Sequence, residues 1–489
     1  MYIVYMDPIT KIRIFDLFTN HDQPFLQKGM LILYSMQTTI KDLLQKYDVP
    51  TPRYTSYPTV PYWDFSTLDV DIWKTSVVDT FEKENGELCI YIHLPFCENM
   101  CTFCACNKRI TVNHAVQDPY IKAVLTEWKM YRHLLNKKPV IREIHLGGGT
   151  PTFFSPDHLE QLIRGITADA DIPADHEFSV EVHPNYTTEE HIKRLAEVGF
   201  NRISLGVQDF DPKVQFVINR IQSYEKTKEV VDWARKYAYT SINIDLIYGL
   251  PHQTISSIEH TIHLIKGFMP DRIAFYSYAH VPWKSKVQRR YTEADLPVAA
   301  DKWTMYSRGR ELLEEAGFQS IGMDHFALPG DKLFTAAANG TLHRNFMGYT
   351  TTQSKLILGL GVSSISDAWT AFAQNEKEVE AYEAQIAAGK FPLVHGHKLN
   401  TEDQIIRKKI LELMCCNHTR LDQADLPMDF LTDAKKSLAK LAEDGLVVCN
   451  EDDILVTEKG KSFIRNISAA IDTQLWRKKS SEQTFSKAI

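Results

Sequence analysis

From residue 88 onward the chain alternates strand-like and helix-like runs, and this rhythm restricts its fold more than any other feature. The strand-like runs are LCIYIHLPF (88–96), REIHLGGG (142–149), FSVEVHP (178–184), RISLGVQDF (202–210), SINIDLIYGLP (241–251) and RIAFYSYAH (272–280). Helical stretches fill the gaps: Pro119 to Leu135, Asp157 to Ile166, Glu189 to Val198, Tyr224 to Tyr237 and Ile255 to Phe268. Strand–helix units in series predict a parallel sheet, because a crossover helix returns the chain to start each parallel neighbour. An open sheet and a partial barrel both satisfy the pattern, and in either one ligands gather beyond the carboxyl ends of the strands. Those ends are polar or glycine-rich here: His93 and the cysteines, Gly147–Thr150, Glu181, Gln208, Asp245 and Tyr278–His280.

The cysteines are unevenly placed. Of eight, five (Cys89, Cys97, Cys101, Cys104 and Cys106) fall within residues 89–106. A disulfide framework would spread them along a small secreted chain, whereas a cluster in a 489-residue chain points to metal or redox chemistry. Cys415, Cys416 and Cys449 stand in apolar contexts and read as small buried hydrophobes. The chain is 44% hydrophobic and 24% charged, an ordinary globular composition with room for about three structural units. Its net charge of −7 supplies no global basic field, so no nucleic-acid partner is expected. No run approaches the roughly 18 apolar residues of a membrane helix, and a cytoplasmic enzyme is expected.

Cys97-x3-Cys101-x2-Cys104 lies just past the first strand. Thiolates are soft ligands that suit zinc or an iron–sulfur cluster. Three of them hold three irons of a 4Fe–4S cluster and leave the fourth for a non-protein ligand. Structural zinc normally takes four ligands, and Cys106, two residues past Cys104, is poorly spaced to wrap the same ion.

Around this core, residues 1–35 show no clean periodicity and are read as an extension of doubtful role; a helix is expected from Met36 (MQTTIKDLLQKY). PRYTSYPT (52–59) is bracketed by prolines and should be extended. After about residue 385 the pattern changes: Ile406, Ile410, Leu413 and Met414 have helical spacing, as do Phe430, Ala434, Leu438 and Leu441. A hairpin-like LVVCNEDDILVTEKG follows, so a winged-helix-like module is expected. Its second helix carries three lysines against four carboxylates over 427–446, the wrong balance for reading DNA.

CxxxCxxC with an aromatic (Phe103) before the last cysteine resembles the radical S-adenosylmethionine (SAM) superfamily. The ordered set PRYTSYPT, YIHLPFC (91–97), CxxxCxxCxCNK (97–108), HLGGGTPT (145–152), VQDF (207–210), NIDLIYGLP (243–251), GMDHFA (322–327) and LHRNFMGYTT (342–351) is similar to the oxygen-independent coproporphyrinogen III oxidases. The matching runs cover nearly all of residues 50–485. Haem chaperones and haem-degrading methyltransferases share the first cysteines and the glycine run. The chaperones lack the CNK continuation, and neither group carries the PRYTSYPT and HRNF-GYTT segments together. Both remain alternative readings.

The resemblance implies a partial (β/α)6 TIM-like barrel over 88–385, an N-terminal segment over 36–87 whose PRYTSYPT covers the substrate, and a mostly helical C-terminal domain over 386–489. It implies one 4Fe–4S cluster on Cys97, Cys101 and Cys104, with Cys106 nearby but not a ligand. It implies two SAM molecules side by side. Tyr91, Gly148, Glu181 and Ile365 match positions around the first; Phe103, Gly149, Thr150, Gln208, Arg220, Asp245 and Ala279 match positions around the second. The implied reaction converts two propionates of coproporphyrinogen III to vinyl groups, giving protoporphyrinogen IX. A SAM-derived 5′-deoxyadenosyl radical abstracts the hydrogen, an electron donor feeds the cluster, and an unidentified acceptor takes the last electron.

Residue chemistry bears on part of this. A glycine run at a strand end lets a ligand come close to the backbone, although a tight turn uses the same residues. Glu181 stands on the face of its strand opposite Val180 and Val182, and a lone inward carboxylate needs a cation, either a ligand's or a neighbouring side chain's. Asp245 reads likewise and could take a ribose hydroxyl. Arg220 and Gln208, judged alone, read as surface residues, and His93 as a core histidine. Arg53 and Arg344 are candidate partners for substrate propionates, or surface ion pairs. Met347 stands where the family is expected to have glutamine, which removes an amide from that position. A monomer is expected.

Overall fold

The computed structural model describes residues 40–283, 285–422, 426–478 and 484–487 of the chain. Its core is a run of β/α units: β1 (Glu87–Leu94), α1 (Gln117–Leu134), β2 (Val140–Gly148), α2 (Pro156–Thr167), β3 (Glu177–Val182), α3 (Glu189–Glu197), β4 (Arg202–Gln208), α4 (Tyr224–Lys236), β5 (Ser241–Tyr248), α5 (Ile255–Lys266), β6 (Arg272–Ser277) and α6 (Ala299–Glu315). Strands β1 to β6 lie in sequence order and pair in parallel. The strands alternate their faces: Phe178, Val180 and Val182 pack into the core, while Ser179 and Glu181 point the other way. Each fully buried aliphatic side chain of this kind contributes about 1.5–3 kcal/mol.

Local signals set the helix starts. Ser155 caps α2 with Pro156 at its first position; the Thr188 and Thr254 side chains take part in capping boxes at α3 and α5; Ser223 caps α4. These caps fix where each crossover leaves its strand, and so where the strand ends can meet.

The sheet runs beyond the six parallel strands on both sides. β7 (Gln319–Gly322) and β8 (His325–Ala327) form an antiparallel pair whose β8 lies on β6. β9 (Ile357–Leu360) pairs in parallel with β1 and leads into the antiparallel strands β10 (Ile365–Asp367), β11 (Ala371–Asn375) and β12 (Leu393–Lys398). The result is one mixed twelve-stranded sheet in the order β12-β11-β10-β9-β1-β2-β3-β4-β5-β6-β8-β7. The strand–helix rhythm of the sequence does not announce these six added strands, which are short and mostly antiparallel. A separate hairpin, His343–Asn345 with Gly348–Thr350, turns at Phe346 and Met347.

The C-terminal part holds helices Thr401–Cys416 and Met428–Glu443, which bury the residues picked out by helical spacing. The expected hairpin pairs Val447–Asn450 with Asp453–Val456, and His418–Arg420, unforeseen from the sequence, adds a third strand. Cys415 is buried as expected, but Cys416 and Cys449 are exposed. Cys416 ends its helix, and Cys449 lies on an edge strand of the small sheet, past the buried Val447.

A helix spans Ile40–Tyr47; residues 1–35, read as an extension of doubtful role, lie outside the described residues. Contacts divide the chain after Lys46, and residues from Tyr47 on form one unit. PRYTSYPT is free of helix, but it turns at Tyr54 (φ 49°) instead of running extended. The C-terminal helices clip it down: the Tyr54 hydroxyl donates to Asp472 at 3.0 Å, and Tyr57 meets Thr473 at 2.9 Å. Arg465 donates to the carbonyl oxygens of Thr51 and, at 3.1 Å, Pro52. Among the described residues no helix is long and apolar enough to cross a membrane.

Candidate active site

Past the carboxyl ends of β1 to β5 lies an open cleft. The register brings chemistry-bearing residues together there: Tyr91 sits beside His145, His145 beside Ser179, Glu181 beside Ser204, and Gly206 beside Asp245. Cys97, Cys101, Phe103, Cys104, Gly148, Gly149, Thr150, Glu181, Gln208, Arg220 and Asp245 all line this one cleft.

The cysteines ride on the loop after β1. Phe96–Cys97 pairs with Arg109–Ile110, closing the loop at its base. The Thr102 N–H donates to the Ile218 carbonyl at 2.9 Å and Asn219 donates to the Met100 carbonyl at 2.8 Å, which pins the loop to the segment between β4 and α4. Cys97 Sγ lies 3.3 Å from Thr150 Oγ1, and Arg220 Nη1 lies 3.5 Å from Cys101 Sγ. Lys108 donates to the carbonyl oxygens of Cys104 (3.2 Å) and Cys106 (3.3 Å). Burial pushes the Cys97 thiol up to about 11. Cys104 is lowered, first by the hydrogen bond from the Cys106 thiol and then, against its own burial, by Lys108 and Arg220.

This donor set fits a cluster better than a single ion. Among the described residues no three His, Cys, Asp or Glu side chains gather where one metal could sit. A cluster asks for something different: thiolates spread over separate irons, with positive charge nearby to offset its own. Arg220 and Lys108 provide that charge. Arg220, which judged alone reads as a surface residue, is half-buried and fixed by donating from Nε to the Gly206 carbonyl at 3.1 Å.

The glycine run makes room for its neighbours. A Cβ on Gly149 would stand 2.5 Å from the Pro95 carbonyl oxygen, and one on Gly148 (φ +114°) 2.8 Å from the His93 ring. The N–H groups of Gly149 and Thr150 are already bonded to Leu94 and Phe96 carbonyls at 2.8 and 3.0 Å. What the run secures first is close approach of the cysteine loop to β2.

The two inward carboxyls differ. Burial works to raise Glu181, but the hydrogen bond from His145 (3.0 Å), the charge of that ring and the Gly148 N–H together hold it below the ordinary range. Asp245 is pushed up to about 6 by burial and then by the charge of Glu181, against hydrogen bonds from Ser204 (3.0 Å) and Asn243 (2.7 Å). The cleft therefore offers one fixed anion, half of whose side chain is open (46%), and one carboxyl that is easily protonated. An anion in that position suits an ammonium or sulfonium group.

Three sequence-predicted residues do not line the cleft. Tyr91 lies just behind it, its hydroxyl 3.0 Å from His93 Nδ1 and its ring stacked 5.9 Å from His145. The Ala279 carbonyl accepts from Gln288 Nε2 at 3.2 Å, and the same nitrogen donates to the Phe103 carbonyl at 2.9 Å, so Ala279 is tied to the loop through one side chain. Ile365 packs on Trp63, Phe372 and Leu399 at the β10 edge. Arg53 donates to the Ser277 carbonyl at 2.8 Å and pairs with Asp324 at 3.4 Å. Arg344 is buried on the hairpin, and the Met347 N–H donates to Asn345 Oδ1 at 2.9 Å in its turn. Sequence reasoning missed His145, Ser179, Ser204 and Asn243, which hold the two carboxyls. Their signal was available: each faces inward on its strand, level with or next to a named residue. It also missed Lys108 and His183, both on the cleft wall.

Comparison with known proteins agrees with this geometry. Residues 91–265 match the radical SAM superfamily model. The oxygen-independent coproporphyrinogen III oxidase of Pseudomonas aeruginosa is 37% identical over 457 residues, 92% of this chain and 98% of the relative. The Escherichia coli enzyme of the same name is 39% identical over 455 residues, 91% of this chain and 98% of the relative. The solved structure of the Escherichia coli coproporphyrinogen III oxidase, a radical SAM enzyme, superposes with a TM-score of 0.82 at 38% identity, covering 86% of this chain and 97% of that one.

Proposed function

The chain belongs to the oxygen-independent coproporphyrinogen III oxidase family of the radical SAM superfamily, and on that premise we propose that it oxidatively decarboxylates two propionates of coproporphyrinogen III, giving the vinyl groups of protoporphyrinogen IX in haem biosynthesis. The observation that carries this reading is the meeting of three cysteines, a fixed carboxylate and a glycine-lined wall in one cleft beyond the parallel strand ends. Cys97, Cys101 and Cys104 would hold a 4Fe–4S cluster. Two SAM molecules would share the cleft, the first near Tyr91, Gly148, Glu181 and Ile365, the second near Phe103, Gly149, Thr150, Gln208, Arg220, Asp245 and Ala279. When bound, cluster and SAM supply an electron and a carbon radical that abstracts hydrogen from the propionate β-carbon.

The chain's own residues do the rest. Glu181 stays anionic and takes the amino group of the first SAM. Arg220 and Lys108 balance the charge of the thiolates. Asp245, held by Ser204 and Asn243, is placed to hydrogen-bond a ribose hydroxyl. The segment 52–59, clipped by Arg465 and Asp472, covers the substrate and keeps water out, as a carbon radical requires.

The same reading takes residues 88–385 as a partial (β/α)6 barrel, 36–87 as a covering segment and 386–489 as a winged-helix-like domain. A monomer in a reducing cytoplasm, served by an electron donor and a separate acceptor, suits a cluster that depends on free thiolates. The test is an anaerobic assay of the reconstituted protein with coproporphyrinogen III, SAM and a reductant. Vinyl product supports the reading; none, with the cluster intact, refutes it. A linear tetrapyrrole formed from haem would support the methyltransferase alternative.

A further inference from the structure

Among the described residues the arginines withdrawn from solvent, other than Arg344, have close partners: Arg465 donates to the backbone carbonyls of Thr51, Pro52 and Lys487. Arg202 holds Glu177 at 2.7 Å, Arg272 holds Asp331 at 2.7 Å, and Arg407 is paired with Asp367. Arg344, only 7% exposed, pairs with no carboxylate among the described residues. Its Nη2 reaches the Arg53 carbonyl oxygen at a long 3.4 Å, and its buried Nε and Nη1 have no hydrogen-bond partner. The guanidinium lies over the Tyr349 ring, 4.7 Å from its centre, which is weak compensation for a buried charge.

A second orphan stands beside it. His325 Nδ1 is also buried without a partner, and the His325 ring meets the edge of the same Tyr349 ring at 5.2 Å. The hairpin that carries Arg344 reaches the cleft: Phe346 at its turn contacts Tyr91 (5.5 Å between ring centres), and Tyr91 and Glu181 together crowd the site of a Cβ on Gly147. Arg344 itself lines a small pocket against the 52–59 segment, with Tyr54 and Tyr57, while the turn of its hairpin backs onto the cleft through Tyr91.

We propose that Arg344 and His325 form the seat for one carboxylate of the substrate, which Nε and Nη1 of the guanidinium and the Nδ1–H of His325 would grip together. The inference rests on the proposed function, whose substrate brings four propionates. The seat suits a propionate that is kept, because a carboxylate locked in an arginine fork is stabilised against leaving as carbon dioxide. Arg53 is less suited to the task, since Ser277 and Asp324 already occupy it.

The test uses reconstituted holoenzyme under anoxia and equilibrium binding of coproporphyrin III, the stable oxidised tetracarboxylate. Arg344→Met should weaken binding at least tenfold, with Arg344→Lys recovering part of the loss. In the same experiment the ligand-free Arg344→Met protein should melt higher than wild type, because an uncompensated charge has been removed; a merely structural arginine would give the opposite sign. Affinity unchanged in a variant that melts lower overturns the seat while leaving the proposed function standing. A wild type that binds no coproporphyrin III and makes no vinyl product overturns both. If Arg344→Met does not fold, His325→Phe decides: weaker binding supports the seat, and wild-type affinity overturns it.

Discussion

His145 Nε2 lies 3.0 Å from Glu181 Oε1, while its Nδ1 lies 2.6 Å from the Ser179 hydroxyl. One ring nitrogen faces the carboxylate and the other the hydroxyl, so the ring is held from both sides. The pair thus positions the Glu181 carboxylate and helps keep it ionised.

Removing that ring should expose the effect of burial. In His145→Ala the Glu181 carboxyl rises, because burial then acts with less opposition. A charged hydrogen bond is worth about 1.5–3 kcal/mol, so SAM affinity should fall about 10- to 100-fold. The loss should deepen as pH falls, since a raised carboxyl is protonated earlier. Titration calorimetry across pH 5–8 checks this, with His145→Asn expected to restore part of the affinity.

Asp245 gives the opposite sign. Its carboxyl is raised to about 6 from an ordinary 3.8, so ionising it in the folded protein destabilises the fold. The penalty begins as pH rises past the unfolded value and is complete above the folded one. The shift corresponds to about 3 kcal/mol, less about 1 kcal/mol for a hydrogen bond that an amide cannot replace. Asp245→Asn should therefore stabilise the protein by about 1–2 kcal/mol at pH 7.5. Urea unfolding should show this gain shrinking to nothing near pH 4.

Two glycines separate packing from backbone freedom. Gly149→Ala drives a Cβ against the Pro95 carbonyl oxygen, and backbone there cannot yield without moving the cysteine loop. A loss of about 2–3 kcal/mol and a lower iron content after reconstitution are expected. Gly330→Ala, where nothing lies within 4 Å, should leave both unchanged. Thermal melting and iron analysis of the two variants make the comparison.

Arg465 is the main clip on the covering segment. In Arg465→Met the carbonyl oxygens of Thr51 and Pro52 lose their donor, and the segment should open more often. Limited trypsin digestion should then cut after Arg53 several times faster than in wild type. Equal cutting rates would show that Tyr54 and Tyr57 hold the segment without the arginine.

Much of this was legible in the residues. The six parallel strands and the five helices between them end within a few residues of where hydrophobic period and turn residues place them, since buried parallel strands and amphipathic helices carry strong periodic signals. Strands such as Ile365–Asp367 and His418–Arg420 carry only three residues each, too short for a period to show. The position of the cleft was legible, because Cys97 follows a strand, Glu181 stands near the end of one and Asp245 lies in the second half of its own. His145 was harder: alone in an apolar strand it has the pattern of a core histidine, and only the pairing of β2 with β3 sets it against Ser179 and next to Glu181. The glycine run was read as a ligand cradle, yet its first duty, close packing on Pro95 and His93, depends on a loop whose path the sequence does not disclose.

Decarboxylation of two substrate propionates is the central claim. Coproporphyrinogen III labelled in its propionate carboxyl carbons, incubated anaerobically with reconstituted wild type, SAM and a reductant, should release two labelled carbon dioxide molecules for each protoporphyrinogen IX formed. Cys101→Ser under the same conditions should release none. Wild type that holds its full iron and sulfide and cleaves SAM, yet releases no labelled carbon dioxide, would contradict it.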